Sequence, residues 1–288
     1  MPNLIGMTLN EAKKALHDIN LEIGALIYFS DPQDPDSSFV VKQNPPAINE
    51  KGDQNYIEKK QVVDLWLVSS GSYRLNFLYP SIKSNGQSIL AFVPAGWKIL
   101  DSAYGDMNKD GLQDAAIILQ HKDSVSLVNS LEDTVLTQPR ILLLLFKNPT
   151  DHKYRLAEQS NSFILKHDNS IIDDSYQGIA IDKGILKIDF HIFHNRGSWY
   201  TTSSTYKFRY DGSKFTLIGA DLLTIHRATL DYEEYSYNFL IKKRSYTKGN
   251  EEKGTKKTTV KSFPLPFLKT FKTFKEPYSW EIEAGINL

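Results

Sequence analysis

Asp106, Asn108, Asp110 and Asp114 stand at two- and four-residue spacing in the stretch GDMNKDGLQD, positions 105–114. Carboxylate and amide side chains on alternate residues of a curled loop can aim several hard oxygens at one point. Calcium takes roughly six to eight such oxygens at about 2.3–2.6 Å. Gly111 permits a sharp bend in the middle, Leu112 can offer its backbone carbonyl, and Asp114 can add a carboxylate directly or through water. The same spacing describes an Asx-rich surface turn, because Asp and Asn side chains hydrogen-bond the backbone two residues on. Asp106, Asn108, Asp110, Leu112 and Asp114 therefore form either a structural calcium clamp or a metal-free turn.

An EF-hand loop needs a bidentate Glu at its twelfth position. Counted from Asp106 that position holds Ile117, and residues 115–119 have the pattern of a strand, not of a helix. A second strand at 97–100 precedes the loop. The order D-x-[DN]-x-D-G-x-x-D between two strands resembles the FG-GAP or VCBS-type calcium loops of integrin-like and bacterial surface proteins, over roughly Asp101 to Leu119. That resemblance implies calcium that staples a turn and takes no part in catalysis. The motif occurs once, whereas a propeller of such blades would repeat it.

Other residues could do chemistry. His167-Asp168-Asn169 with Asp173-Asp174 forms a second acidic cluster, either part of a cation site or a solvated loop. His191, His194 and His226 invite a metal reading. However, residues three apart on a strand point to opposite faces, and zinc wants about three or four convergent ligands. Phe190, Phe193, Trp199, Tyr200, Tyr206, Phe208 and Tyr210 could line a carbohydrate or peptide platform, or pack a core. Lys242-Lys243-Arg244 with Lys248, Lys253, Lys256, Lys257 and Lys261 makes a basic hairpin. It could touch an anionic surface polymer, or keep an edge strand from pairing with other chains.

Several function classes are excluded. The chain has no G-x-S-x-G, no H-E-x-x-H and no phosphate-cradling glycine loop. It has no cysteine, which removes disulfides, thiolate nucleophiles and thiolate metal sites. Lys and Arg number 34 against 34 Asp and Glu, so no global attraction to nucleic acid is expected. No apolar run approaches the roughly 20 residues of a membrane helix; the longest, at 141–146, is strand length.

The elements that must position these groups fall into two parts, 1–71 and 72–288. In the first, Thr8 and Glu11 have capping-box spacing, and Leu9, Ala12, Leu16 and Ile19 follow as a helical apolar stripe closed by Asn20. Short strands follow at 21–23, 39–41 and 63–68, the second stopped by Gln43-Asn44-Pro45-Pro46, with a turn-rich loop at 31–36. These residues resemble a PASTA domain, the small module of bacterial penicillin-binding proteins and serine/threonine kinase ectodomains. The matching stretches are Pro2-Asn3-Leu4-Ile5-Gly6-Met7-Thr8-Leu9 with Glu11-Ala12, Leu21-Glu22-Ile23-Gly24, Val41-Lys42-Gln43-Asn44-Pro45, and Val63-Asp64-Leu65-Trp66-Leu67-Val68-Ser69-Ser70-Gly71. The polar stretch 50–60 is longer than the family's usual glycine turn.

The resemblance implies an α+β module of one helix and three strands, with peptidoglycan or muropeptide contact, or a spacer or docking role. It also implies an extracytoplasmic protein, in the periplasm or on the cell surface. Met1 at the domain edge then suggests a chain trimmed of an upstream targeting segment, with membrane contact only through that removed anchor.

Residues 72–288 show short strands and turns without a convincing helix. Strands are expected at 75–78, 88–93, 97–100, 115–119, 141–146, 154–157, 179–181, 186–193, 202–210, 214–219, 235–243 and 258–260. Hairpin signals lie at Asp182-Lys183-Gly184, Asp211-Gly212 and Asn250-Glu251-Glu252-Lys253-Gly254. The aromatic, Lys-rich end from Ser262 onward is expected to be a strand pair or a tail packed on a sheet. This predicts a mainly antiparallel β domain, a sandwich or stacked meander sheets. The expected function is a non-enzymatic cell-envelope protein that binds peptidoglycan, another surface glycan or a protein partner. The alternatives are an envelope-polymer hydrolase with an unrecognised site, and a structural spacer.

Overall fold

The computed structural model describes residues 1–29, 34–47, 54–56, 58, 61–68, 77–128, 134–169 and 171–288. Most of the 50–60 stretch, residues 31–33 of the loop expected at 31–36, residues 69–71 and residues 75–76 of the strand expected at 75–78 lie outside the described residues, and Phe77 and Leu78, the rest of that expected strand, are not in a strand. The chain divides into two compact units, Met1–Ser81 with Ser126–Thr134, and Ile82–Val125 with Val135–Leu288.

In the first unit, α1 (Leu9–His17) begins at a complete capping box. The Thr8 hydroxyl accepts from the Glu11 N–H at 3.3 Å, and the Glu11 carboxylate accepts from the Thr8 N–H at 2.8 Å. Leu9, Ala12 and Leu16 are buried as their spacing requires. Ile19 is not part of that stripe: the helix ends at His17, before its turn, and the side chain is exposed. Asn20 takes the left-handed conformation, φ 57°, in the turn that follows.

Strands β1 (Glu22–Tyr28), β2 (Phe39–Asn44) and β3 (Val62–Val68) form one sheet in the order β1-β3-β2, with β1 parallel and β2 antiparallel to β3. Val63, Leu65 and Leu67 alternate into the core, so β3 buries one face. Gln43, read as part of a strand stop, lies inside β2 and is buried. Its Oε1 accepts from the Leu4 N–H at 2.7 Å, and its Nε2 donates to the Pro2 and Pro45 carbonyls, both at 3.1 Å. A buried amide satisfied three times over ties the chain start to β2.

The second unit is two antiparallel sheets. The five-stranded sheet contains β4 (Asn85–Gly86), β5 (Trp97–Gly105), β6 (Asp114–His121), β9 (Arg140–Lys147) and β10 (Tyr154–Ser160), in the order β4-β10-β9-β6-β5. Between β6 and β9 the chain forms two short strands outside these sheets, β7 (Val125–Val128), most of which falls in the first unit, and β8 (Thr134–Thr137). The seven-stranded sheet is a plain meander, in which each strand pairs with the next: β11 (Tyr176–Asp182), β12 (Ile185–Phe193), β13 (Tyr200–Tyr210), β14 (Phe215–His226), β15 (Asp231–Asn238), β16 (Lys243–Asn250) and β17 (Thr255–Ser262). A short pair, β18 (Glu281–Glu283) and β19 (Ile286–Asn287), closes the chain.

One apolar core joins the two sheets. Ala116, Ile118, Leu142, Leu144 and Phe146 come from the first sheet, and Leu186, Ile188, Tyr206, Phe208 and Leu217 from the second. The C-terminal residues Phe263, Leu265, Phe271 and Phe274 complete it, so the aromatic end is a tail packed on the sheet with one small strand pair. The fold is the stacked antiparallel arrangement expected from the sequence.

Three further expected strands differ. Residues 88–93 contain a 3-10 turn, Ile89–Phe92, in which Phe92 is buried and lies against Gly86 while Leu90 is exposed. One anchor per turn suffices there, and a short apolar run does not distinguish strand from helix. The strand expected at 235–243 is broken by a turn, which lets β15 start at Asp231 and β16 start at Lys243. Strand β14 continues seven residues past Gly219, to His226. The Lys183-Gly184 turn has φ 50° and 76°, the doubly left-handed geometry that matches strand twist in a two-residue hairpin.

Candidate functional site

The acidic loop joins β5 to β6, with Gly105 paired to Asp114 at its base. Asp114 is fully buried, and its two oxygens accept from the N–H groups of Met107 (2.9 Å), Asn108 (3.3 Å) and Lys147 (2.9 Å). Burial pushes its carboxyl above the ordinary value in spite of those three donors. Asp106 accepts from the N–H groups of Lys109, Asp110 and Gly111 at 2.6, 3.2 and 2.9 Å. Asp110 accepts from the Leu112 N–H at 2.8 Å and from the Asn108 amide at 2.9 Å. Gly111 has φ 84°, which lets the loop turn.

The donor set is the hard-oxygen type that calcium takes, but the loop closes through its own N–H groups. Among the described residues, no group of three or more His, Asp or Glu side chains is placed to hold a metal ion. Asp114 anchors the backbone.

The other candidates separate. Asp174 receives two hydrogen bonds from the guanidinium of Arg140, one of them at 2.8 Å, and Arg140 is itself buried. Burial alone would raise the Asp174 carboxyl, but the Arg140 bonds outweigh it and hold the group below its ordinary value. Arg140 also donates to the Leu165 carbonyl at 2.7 Å, so Asp174 is the exposed counter-ion of a buried guanidinium. His191 lies between the hydroxyls of Ser203 and Thr201, each at 2.9 Å, while His226 pairs with Tyr200 across β13 and β14. Strand periodicity puts these two histidines on opposite faces. In the basic hairpin, β17 is the sheet's edge strand and is exposed along its whole length. Arg244 is buried instead and is bonded to Glu283.

A different site emerges from the register of the meander. On the core side of the sheet one cross-strand row runs Tyr206, Ala220, Tyr237, Arg244, all buried. The next row is Ser204, Leu222, Tyr235, Tyr246, and the one after it Thr202, Thr224, Glu233, Lys248. Burial falls along this series until Lys248 is exposed. The sheet therefore outruns its cover, and its free end is an open pocket of about 680 Å³ lined by Tyr200, Thr224, His226, Asp231, Glu233 and Lys248 among others.

The polar groups there are held in place. The Thr229 N–H donates to Nδ1 of His226 at 3.1 Å, so in the neutral ring the proton sits on Nε2. Asp231 accepts from the Asn250 amide at 2.8 Å and the Thr229 hydroxyl at 2.7 Å, bonds that keep its carboxyl below the ordinary range. Glu233 faces the Lys248 ammonium at 3.1 Å. Trp199 stacks on His226 with centroids 6.3 Å apart and planes 17° apart, and Tyr200 meets the same ring edge-on at 5.0 Å. Both aromatics remain exposed, Trp199 at 66%.

The sequence singled out Trp199, Tyr200, His226 and Lys248 under three separate readings but not Asp231 or Glu233. Asp231 and Glu233 sit two apart on one strand, a signal concealed by placing the strand start at 235.

No curated protein and no solved structure matches the chain. Residues 1–69 match the family model of the PASTA domain, in agreement with the capped helix and three-stranded sheet of the first unit.

Proposed function

We propose that this chain is an extracytoplasmic cell-envelope protein that works by binding, and that its PASTA-like part contacts peptidoglycan or another surface glycan. The observation behind this reading is the PASTA match over residues 1–69. The proposed division of labour is 1–71 for envelope contact and 72–288 as a β domain. No helix among the described residues is long and apolar enough to cross a membrane.

Incubating the full chain with purified sacculi tests the proposal. Retention on the pellet, competed by soluble muropeptides and without release of glycan fragments, is the expected result. A chain that stays in the supernatant, or one that liberates reducing ends, refutes it.

Calcium at the acidic loop is a second part of the proposal. It is supported by the order of oxygen-bearing residues on a strand–loop–strand unit. Asp106, Asn108 and Asp110 with the Leu112 carbonyl would hold the ion, whose charge would tighten the turn. Asp114, the further ligand of the sequence pattern, already receives three N–H donors.

A further inference from the structure

The open end of the seven-stranded sheet has the chemistry of a saccharide site. Three features define what it can take. The first is aromatic: Tyr200, which lines the pocket, is 53% exposed, and Trp199, 66% exposed and stacked by one face on His226, lies at the pocket's margin outside its lining. Aromatic faces left open beside polar groups suit the C–H face of a sugar ring. The second is a mixed set of donors and acceptors, with Thr224 hydroxyl, His226, ionised Asp231 and Lys248 on adjoining strands. A polyhydroxylated ligand both donates and accepts at each hydroxyl, and such a set answers both roles. The third is the charge balance. Lys248 is paired to Glu233, and the Asp231 carboxylate lies within electrostatic reach of Lys253 and Lys248, so no surplus of positive charge is left to select phosphate or another polyanion.

This aromatic pair is fixed before any ligand arrives. The Arg227 N–H donates to the Trp199 carbonyl at 2.8 Å, and the Tyr200 N–H donates to the Ser198 hydroxyl at 3.0 Å. The Arg227 guanidinium bonds the Ser198 carbonyl and lies over the Phe193 ring at 4.7 Å. The 198–200 segment is thus tied to the end of β14, so little ordering remains to be done on binding. A volume of about 680 Å³ falls within the range of small-ligand pockets and exceeds what one side chain would fill.

We propose that this pocket binds a neutral oligosaccharide, with Tyr200 as the stacking platform, the open face of Trp199 extending it at the margin, and Asp231 and His226 as hydroxyl partners. The site lies in the β domain and is separate from the PASTA-like part, so it does not rest on the envelope reading.

The test is a titration of the full chain with chitotetraose and maltotetraose as neutral probes and inorganic polyphosphate as a polyanion, followed by tryptophan fluorescence and calorimetry. At least one neutral tetrasaccharide is expected to bind, with affinity weakened at least about tenfold in Trp199→Ala and in Asp231→Ala, an effect equal to about 1.4 kcal/mol. Trp199 is exposed, so its replacement leaves the fold intact; Asp231→Asn checks the carboxylate with its shape preserved. Binding by neither saccharide, binding by polyphosphate alone, or saccharide binding unchanged in both alanine variants overturns the proposal. Sacculus retention is not part of this readout, so failure here leaves the PASTA-based reading standing, and failure there leaves this one.

Discussion

Arg244 and Glu283 form a two-point pair: Nε to Oε1 is 3.0 Å and Nη2 to Oε2 is 2.9 Å. Lys261 adds a third contact to Oε2 at 2.9 Å, and the Tyr237 hydroxyl a fourth to Oε1 at 3.1 Å. The pair fastens the terminal strand β18 to β16, one strand in from the meander's edge. Burial alone would raise the Glu283 carboxyl, but these donors outweigh it and lower it from 4.5 to about 2. A depressed acid stabilises the fold above its unfolded pKa and ceases to do so as pH falls through its folded one. Glu283→Gln is expected to cost about 2 kcal/mol at pH 7, because Arg244 is left buried with a weaker partner. Thermal melts should show this difference shrinking between pH 4.5 and about 2. A gap that stays constant over that window contradicts the assignment.

Arg140 is buried against Asp174 and the Leu165 carbonyl. Lysine carries a charge but cannot reproduce the fork that meets both partners. Arg140→Lys should lower stability by about 2 kcal/mol, read as a lower urea midpoint at unchanged slope. An unchanged midpoint would show the pair to be energetically silent.

Gly249 faces Tyr232 across β15 and β16. A Cβ there would lie 2.3 Å from the Thr255 carbonyl and 2.7 Å from the Tyr232 ring. The carbonyl is backbone and cannot swing away, so Gly249→Ala should cost about 2 kcal/mol or more. Gly178 is the control: nothing lies within 4 Å of its Cβ position, and Gly178→Ala should stay within about 0.5 kcal/mol of the parent. Equal melting temperatures for the two variants would discount the steric argument.

The acidic loop separates anchor from ligand. Asp114→Asn puts an amide donor where N–H groups already point, and should cost about 2 kcal/mol with or without calcium. Asp110→Asn should leave the calcium-free melt nearly unchanged and abolish any calcium-dependent rise. Parent melts that coincide in calcium and in EDTA would remove the metal from the account.

The residues read from sequence fared according to how local their roles are. Thr8 and Glu11 form their capping box because both partners lie within one turn. Likewise, the turn at Lys183-Gly184 needs only two adjacent residues to adopt left-handed backbone. The longest apolar run became β9, buried from Arg140 to Phe146. Ile19 and the 88–93 run went astray because their fate depended on where a neighbouring element stopped. The register of β13 to β16 was not legible at all. It brings Tyr200, Thr224, Glu233 and Lys248 onto one side of the sheet from positions nearly fifty residues apart.

By itself, then, the sequence determined the small module at the chain start, the antiparallel β character of the remainder and the order of oxygens in GDMNKDGLQD, all set by short-range propensity and spacing. Tertiary structure decided which charges are spent inside, as at Arg140, Arg244 and Asp114, and where the meander escapes its cover. Both depend on cross-strand register and on the depth of burial, and neither quantity exists until distant strands have packed.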